Sequence, residues 1–272
     1  MAIYKTDAIP TLRKEYNKIV KEISIKTNYK GIELENEVMQ YIYSITHEIK
    51  DYATKTALRV GFETIKFENQ GKIMHYYIQD DNLIDFLSNT KIQNLDILKL
   101  NQANTMQSCI VHTHKHCYVL SNGLSDKNEM VLTIHRDGEW INISPENKDH
   151  LKWIKKQGKE WYKDSCFAIN LFYYINAFPN VIKDGFPDDV VKSYKQVIKR
   201  FNNNHIIGVA PQIVQGYSSG KAPHFRQGFF RLYSNDRYVH MKGKVQFIEA
   251  TMIKGNRVKT ILNKEDTNGT NN

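Results

Sequence analysis

The sequence predicts an α+β protein in which helices pack on a modest mixed or antiparallel sheet. Three observations indicate this class. Apolar residues repeat at helical spacing in the opening segment, short β-prone runs with turn signals fill the middle, and an apolar helical segment follows them. With 272 residues, of which 41% are hydrophobic, the chain is long enough to bury a sizeable core.

Two amphipathic helices are expected first, because apolar residues recur every three or four positions over residues 12–23 and again over 34–49. The β-prone runs 64–67 and 73–78 then flank a turn signal, so we predict a β-hairpin there. A short helix over residues 81–87 follows this hairpin.

The centre of the sheet is expected next. Residues 109–120 read as extended, and residues 129–143 give two strands on either side of a turn. Three helices are predicted after these strands. Residues 148–162 form a charged helix, residues 166–178 are apolar on nearly every face and so form a buried helix, and residues 190–201 form a helix with a basic outer face.

Toward the C-terminus, residues 244–253 alternate well enough for a strand. We predict a division into an N-terminal helical and hairpin region (1–105), an α+β core with a basic segment (106–262), and a disordered polar tail (263–272).

The sequence also indicates the compartment and the absence of common cofactors. The three cysteines, Cys109, Cys117 and Cys166, are odd in number and lack C-x-x-C spacing, so we expect a reducing cytoplasm, that of a host cell. We expect no membrane partner, because no apolar run is long enough to span a bilayer. No phosphate-binding or dinucleotide-binding glycine motif is present, and we expect no cofactor.

The positive charge of the chain is concentrated near its C-terminus. Between Lys221 and Lys259 there are nine Lys or Arg residues and two acids, so this segment carries +7 of the formal +9. Guanidinium groups match phosphate oxygens and aromatic rings stack on bases, so arginines interleaved with aromatic residues favour an RNA partner. The residues that we expect to contact RNA are His224, Arg226, Arg231, Arg237, Lys242 and Lys244.

His224 has two interpretations. Beside Arg226, its imidazole can act as general acid or base on an RNA 2′-hydroxyl, which is the chemistry of a metal-independent ribonuclease. Alternatively, it hydrogen-bonds the backbone and fixes the turn after Pro223. The sequence leaves the catalytic role open, and the structural or binding role is favoured.

His112, His114 and His116 alternate with other residues. On one strand, all three imidazoles would lie on the same face, and that spacing can hold zinc. The alternative, which we favour, is a solvated or hydrogen-bonded histidine-rich edge without a metal.

The C-terminal motif resembles that of a known family. Its matching residues are Pro223, His224, Phe225, Arg226, Gly228 and Phe230, whereas Gln227 and Phe229 depart from the pattern. It is similar to the signature of a phage and plasmid family that includes an anti-CRISPR protein directed against the type V-A effector nuclease. The resemblance implies indirect inhibition, in which the protein engages the nascent chain and message of an effector during translation and lowers its mRNA.

Three functions therefore follow from the sequence. The leading hypothesis is an anti-defence protein of a mobile element that binds RNA, a nascent polypeptide or the ribosome and suppresses production of a host immune effector. The second is a ribonuclease of toxin type, and the third is a stoichiometric protein inhibitor of a nucleic-acid-binding effector. The first predicts that message is lost although the pure protein does not cleave RNA. The second predicts cleavage by the pure protein, and the third predicts a stable complex with unchanged message.

Overall fold

The structure is a computed structural model of the chain. It describes residues 7–92, 94–98, 108–124, 130–147, 149–187, 203–210, 225–226, 228–249, 251–254 and 257–259. Helices cover both faces of a mixed sheet, which confirms the predicted α+β class. None of the described helices is both long enough and apolar enough to cross a membrane.

The main sheet has seven strands in the order β5-β4-β3-β2-β1-β7-β6. The strands are β1 Met74–Ile78, β2 Ser108–His112, β3 Cys117–Leu124, β4 Met130–Arg136, β5 Glu139–Ile143, β6 Ile182–Asp184 and β7 Asn204–Ile207. β1 pairs in parallel with β2 and β7, and the other neighbouring strands are antiparallel. β2 is the middle strand and β5 is an edge strand, so only part of the region 109–143 is central.

Three helices cover one face of the sheet: α1 Pro10–Thr27, α2 Gly31–His47 and α3 Tyr52–Asn69. α1 and α2 confirm the two helices predicted from apolar spacing. The predicted hairpin is wrong, because residues 64–67 lie within α3 and only the second run, β1, is a strand. Ala57, Gly61, Thr64 and Ile65 are buried at helical spacing, so packing against the sheet overrides the β propensity of this run.

The other face is covered by α4 Asp81–Asn89, α5 His150–Gln157 and α6 Lys159–Ala177. α4 confirms the short predicted helix, and residues 164–174 of α6 are all buried, as the apolar pattern predicts. The predicted helix 148–162 is divided into α5 and the start of α6 because Gly158 adopts φ 134°, a left-handed conformation that favours glycine.

Two small antiparallel sheets lie near the C-terminus. β9 Phe229–Leu232 pairs with β10 Val245–Ile248, while β8 Phe225–Arg226 and β12 Arg257–Lys259 flank β11 Thr251–Lys254. The single strand predicted over 244–253 is therefore two strands. The predicted helix 190–201, the boundary at residue 105 and the tail 263–272 lie outside the described residues, and the division into two regions stays a prediction.

Candidate nucleic-acid interface

The hairpin formed by β9 and β10 is anchored to the core by aromatic side chains. The ring centroids of Phe230 and Phe247 are 5.1 Å apart, and both rings contact Phe86 and Phe178. Gly228, just before β9, leaves no room for a side chain, because an added Cβ would lie 2.5 Å from the Phe247 ring. This packing fixes the backbone from which the next residues project.

The burial of the hairpin corrects one expectation about its aromatic residues. Phe229 is 6% exposed and Phe230 is 3% exposed, so their rings belong to the core and do not stack on bases. Tyr233 and Tyr238 are only partly buried, and their ring centroids lie 5.1 Å apart in an edge-to-face arrangement. The accessible ring surface in this part of the molecule therefore comes from the two tyrosines.

A pocket of about 250 Å³ opens beside the hairpin, and we call it the Arg–Tyr pocket. Arg231 from the end of β9 and Arg237 from the 3₁₀ helix Asp236–Met241 both line it, together with Tyr233 and Tyr238. Asn94, from the loop that precedes β2, also lines it. The structure thus brings together two of the predicted cationic residues and the rings of two partly exposed tyrosines.

Neither arginine of the pocket contacts a carboxylate among the described residues. The Arg231 guanidinium carbon lies 5.7 Å from the Phe229 ring centroid and 5.9 Å from that of Tyr233. The Arg237 guanidinium carbon lies 4.6 Å from the Tyr238 ring centroid, and its Nη2 donates to Tyr238 Oη at 2.6 Å. Ring contacts of this kind leave most guanidinium N–H groups available to an anion.

The two predicted lysines lie outside the pocket. Lys242 donates to Asp236, and this hydrogen bond, followed by the attraction of the two charges, lowers the pKa of the Asp236 carboxyl. Lys244 is exposed, and its backbone pairs with Tyr233 across the hairpin. Lys242 is therefore partly engaged by the protein itself, whereas Lys244 presents its charge to solvent.

The remaining predicted contacts fall where side chains are not described. Arg226 lies in β8, where the backbone pairs with β11, and His224 lies outside the described residues. The catalytic interpretation of His224 therefore stays a prediction.

The three histidines considered for a metal do not share one face. β2 ends at His112, residues 113–116 turn, and the three imidazoles separate. His112 Nε2 lies 3.0 Å from His75 Nδ1 in the interior, His114 lies 3.5 Å from Asp81, and His116 lies 2.7 Å from Asp137. The extended region 109–120 consists of two strands, β2 and β3, joined by this turn, so the condition for a shared face is not met. No cluster of three metal-ligating side chains occurs in the described parts of the chain.

Asn94 was not anticipated from the sequence. Its Oδ1 accepts a hydrogen bond from the buried Tyr173 hydroxyl at 2.6 Å and another from the Asp96 backbone N–H at 3.1 Å. No motif marks this residue, since it lies far from the basic segment in the sequence. Only the packing of α6 against the hairpin brings the two regions together.

Comparison with known proteins gives a distant likeness to a solved structure. No protein-family model matches the chain, and no curated protein matches it. Among solved structures, the crystal structure of AcrVA2, a type V-A anti-CRISPR protein, is similar with 13% sequence identity and a TM-score of 0.42, over 91% of this chain and 95% of that chain. This is a distant likeness of fold, and no residue role is taken from it.

Proposed function

We propose that the protein binds single-stranded RNA at the Arg–Tyr pocket and acts as an anti-defence protein of a mobile element, suppressing production of a host immune effector. The observation that carries the RNA proposal is the pair of guanidinium groups, Arg231 and Arg237. They have no carboxylate partner among the described residues and lie beside partly exposed tyrosine rings. Phosphate oxygens satisfy such groups with charge-assisted hydrogen bonds.

The size of the pocket favours a single strand over a duplex. A volume of about 250 Å³ suits one splayed base with its phosphate, and unstacked bases are what proteins read in single-stranded RNA. Tyr233 and Tyr238 offer ring surface on which a base can stack, an interaction worth about 1–3 kcal/mol per base. Lys244 on the same hairpin adds an exposed cation for the neighbouring phosphate.

The anti-defence part of the proposal rests on the C-terminal signature. Two of its matching residues, Gly228 and Phe230, hold the hairpin against the core, so the signature maintains the scaffold that carries Arg231. In this proposal the RNA is the message of the effector, engaged in the cytoplasm of the host while the ribosome produces the nascent chain.

The binding proposal is tested by fluorescence anisotropy with a labelled single-stranded RNA over a range of salt concentrations. Replacing both Arg231 and Arg237 by alanine should weaken binding, and it should reduce the slope of log affinity against log salt by about 0.7 for each phosphate that the variant no longer neutralises. The control is Lys14→Ala with Lys21→Ala, which removes the same charge from exposed positions of α1. Equal weakening in the control and the pocket variant would reject the pocket as the binding site.

The cellular role is tested by measuring effector message and protein in cells that express this chain or its pocket variant. We expect message to fall with the wild type and to recover with the arginine variant, while purified wild-type protein leaves the same RNA intact. Cleavage by the pure protein would instead establish a ribonuclease. Unchanged message with a stable protein complex would establish a stoichiometric inhibitor.

A further inference from the structure

Within the described part of the chain, the side-chain groups of the Arg–Tyr pocket that have no hydrogen-bond partner are mostly donors. Asn94 Oδ1 is occupied by Tyr173 and by the Asp96 N–H, which leaves the Nδ2 amide group as a donor. A backbone N–H can only donate, so the contact with Asp96 fixes which end of the Asn94 amide is oxygen.

A second amide in the wall is held in the same way. Asn235 Oδ1 accepts a hydrogen bond from the Arg237 backbone N–H at 3.0 Å, so Asn235 Nδ2 is also left as a donor for a ligand. Tyr238 Oη accepts from Arg237 and keeps its own proton to donate. Ser234, also in the wall, has a hydroxyl that donates and accepts equally well.

From this donor set we infer that Asn94 Nδ2 meets the exocyclic group of the bound base, so that the pocket selects keto bases, uracil and guanine, over the amino bases cytosine and adenine. This inference rests on the proposed RNA-binding function. Uracil and guanine present an exocyclic carbonyl acceptor at the position where cytosine and adenine present an amino donor. An amino group against Asn94 Nδ2 would place two donors face to face and leave both without an acceptor.

Uracil and cytosine give the cleanest comparison, because they have the same size and differ at this position. We expect oligouridine to bind about tenfold more tightly than oligocytidine of equal length, the discrimination typical of a good base-edge contact. Anisotropy titrations at one fixed salt concentration measure the ratio. The purine pair, guanine and adenine, is expected to follow the same order.

Asn94→Asp tests the donor directly. The substitution keeps the oxygen that Tyr173 and Asp96 require and replaces the Nδ2 donor by a negatively charged acceptor. The uridine-to-cytidine ratio should fall from about tenfold to about one or below. Asn17→Asp, on the exposed face of α1, adds the same charge far from the pocket in sequence and fold, and should keep the wild-type ratio.

The ligand provides an independent test that leaves the protein unchanged. An oligonucleotide of 4-thiouridine has a weaker acceptor at the selected position, so it should bind less tightly than oligouridine. Wild-type protein that binds uridine, cytidine and thiouridine strands equally would overturn the base selection while leaving RNA binding intact. Failure to bind any of these strands would reject the proposed function itself.

Discussion

Arg136 and the two arginines of the Arg–Tyr pocket have opposite kinds of partner. Arg136, at the end of β4, contacts Asp164 of α6 directly, lies 3.8 Å from Glu160, and has the Trp161 ring centroid 4.9 Å from its guanidinium carbon. Its side chain is 12% exposed and that of Asp164 is 8% exposed. Arg231 and Arg237 lie at the surface and contact rings instead of acids.

The difference shows that the role of a positive charge depends on its partners. The Arg136 charge is neutralised inside the fold, where it compensates a carboxylate that burial makes costly: burial raises the pKa of Asp164, against the lowering effect of Arg136. Most guanidinium N–H groups of the pocket arginines have no acceptor among the described residues. Arg136 therefore stabilises the fold, whereas the pocket arginines are suited to the binding that we propose.

Removing Arg136 should have the largest effect on stability. Arg136→Ala leaves the Asp164 carboxylate buried without its cation, and breaking such a pair costs about 3–5 kcal/mol. Urea unfolding followed by circular dichroism measures the change. Arg231→Ala is the matched comparison and should change the free energy of unfolding by less than about 0.5 kcal/mol, since its side chain is exposed. Similar destabilisation of both variants would remove the distinction between Arg136 and the pocket arginines.

The second largest effect is expected from acid, which should destabilise the buried core and leave RNA binding at the pocket arginines unchanged. Burial, then the neighbouring His112 and Arg13, lowers the pKa of His75 to about 3, and burial lowers the pKa of His135 to about 4. Unfolded histidine has a pKa near 6.5, so the unfolded state binds the extra protons and stability falls as pH drops below that value. We expect a loss of about 2 kcal/mol for each histidine between pH 7 and pH 5.

RNA binding at the arginines should persist over the same pH range wherever the protein stays folded, because guanidinium groups remain charged. Unfolding midpoints at the two pH values measure the effect on stability. His75→Gln with His135→Gln should flatten the pH dependence, whereas His240→Gln, at an exposed position, should leave it as in the wild type. If the double variant loses as much stability between pH 7 and pH 5 as the wild type, the acid sensitivity belongs to other groups.

The smallest effect is expected when the pocket arginines are given an acidic partner of the kind that Arg136 has in Asp164. Ser234→Asp places a carboxylate in the pocket wall, near Arg231 and Arg237. Pairing within the chain should then compete with phosphate, so RNA affinity should fall by about tenfold at low salt, about 1.4 kcal/mol. Ser234→Asn, of nearly the same shape, is the control. Equal affinity for both variants would show that the pocket arginines do not meet the RNA.

Several elements follow from local sequence pattern alone. α1, α2 and α4 and the buried part of α6 match their apolar spacing, and the β4–β5 hairpin follows from its turn. The concentration of charge near the C-terminus is also evident without a structure. These features depend on residues close together in the chain, whose periodicity decides which face is buried.

Tertiary structure decided what local pattern left ambiguous. Residues 64–67 are helical because Thr64 and Ile65 are buried when α3 packs on the sheet. β1 pairs with β2 and β7, two strands that come later in the chain. Tertiary structure also decided which arginine is neutralised and which is available, and it brought Asn94 to the wall of the pocket. A side chain's burial and partners depend on residues distant in sequence, so composition locates the charge and only the packed fold assigns its role.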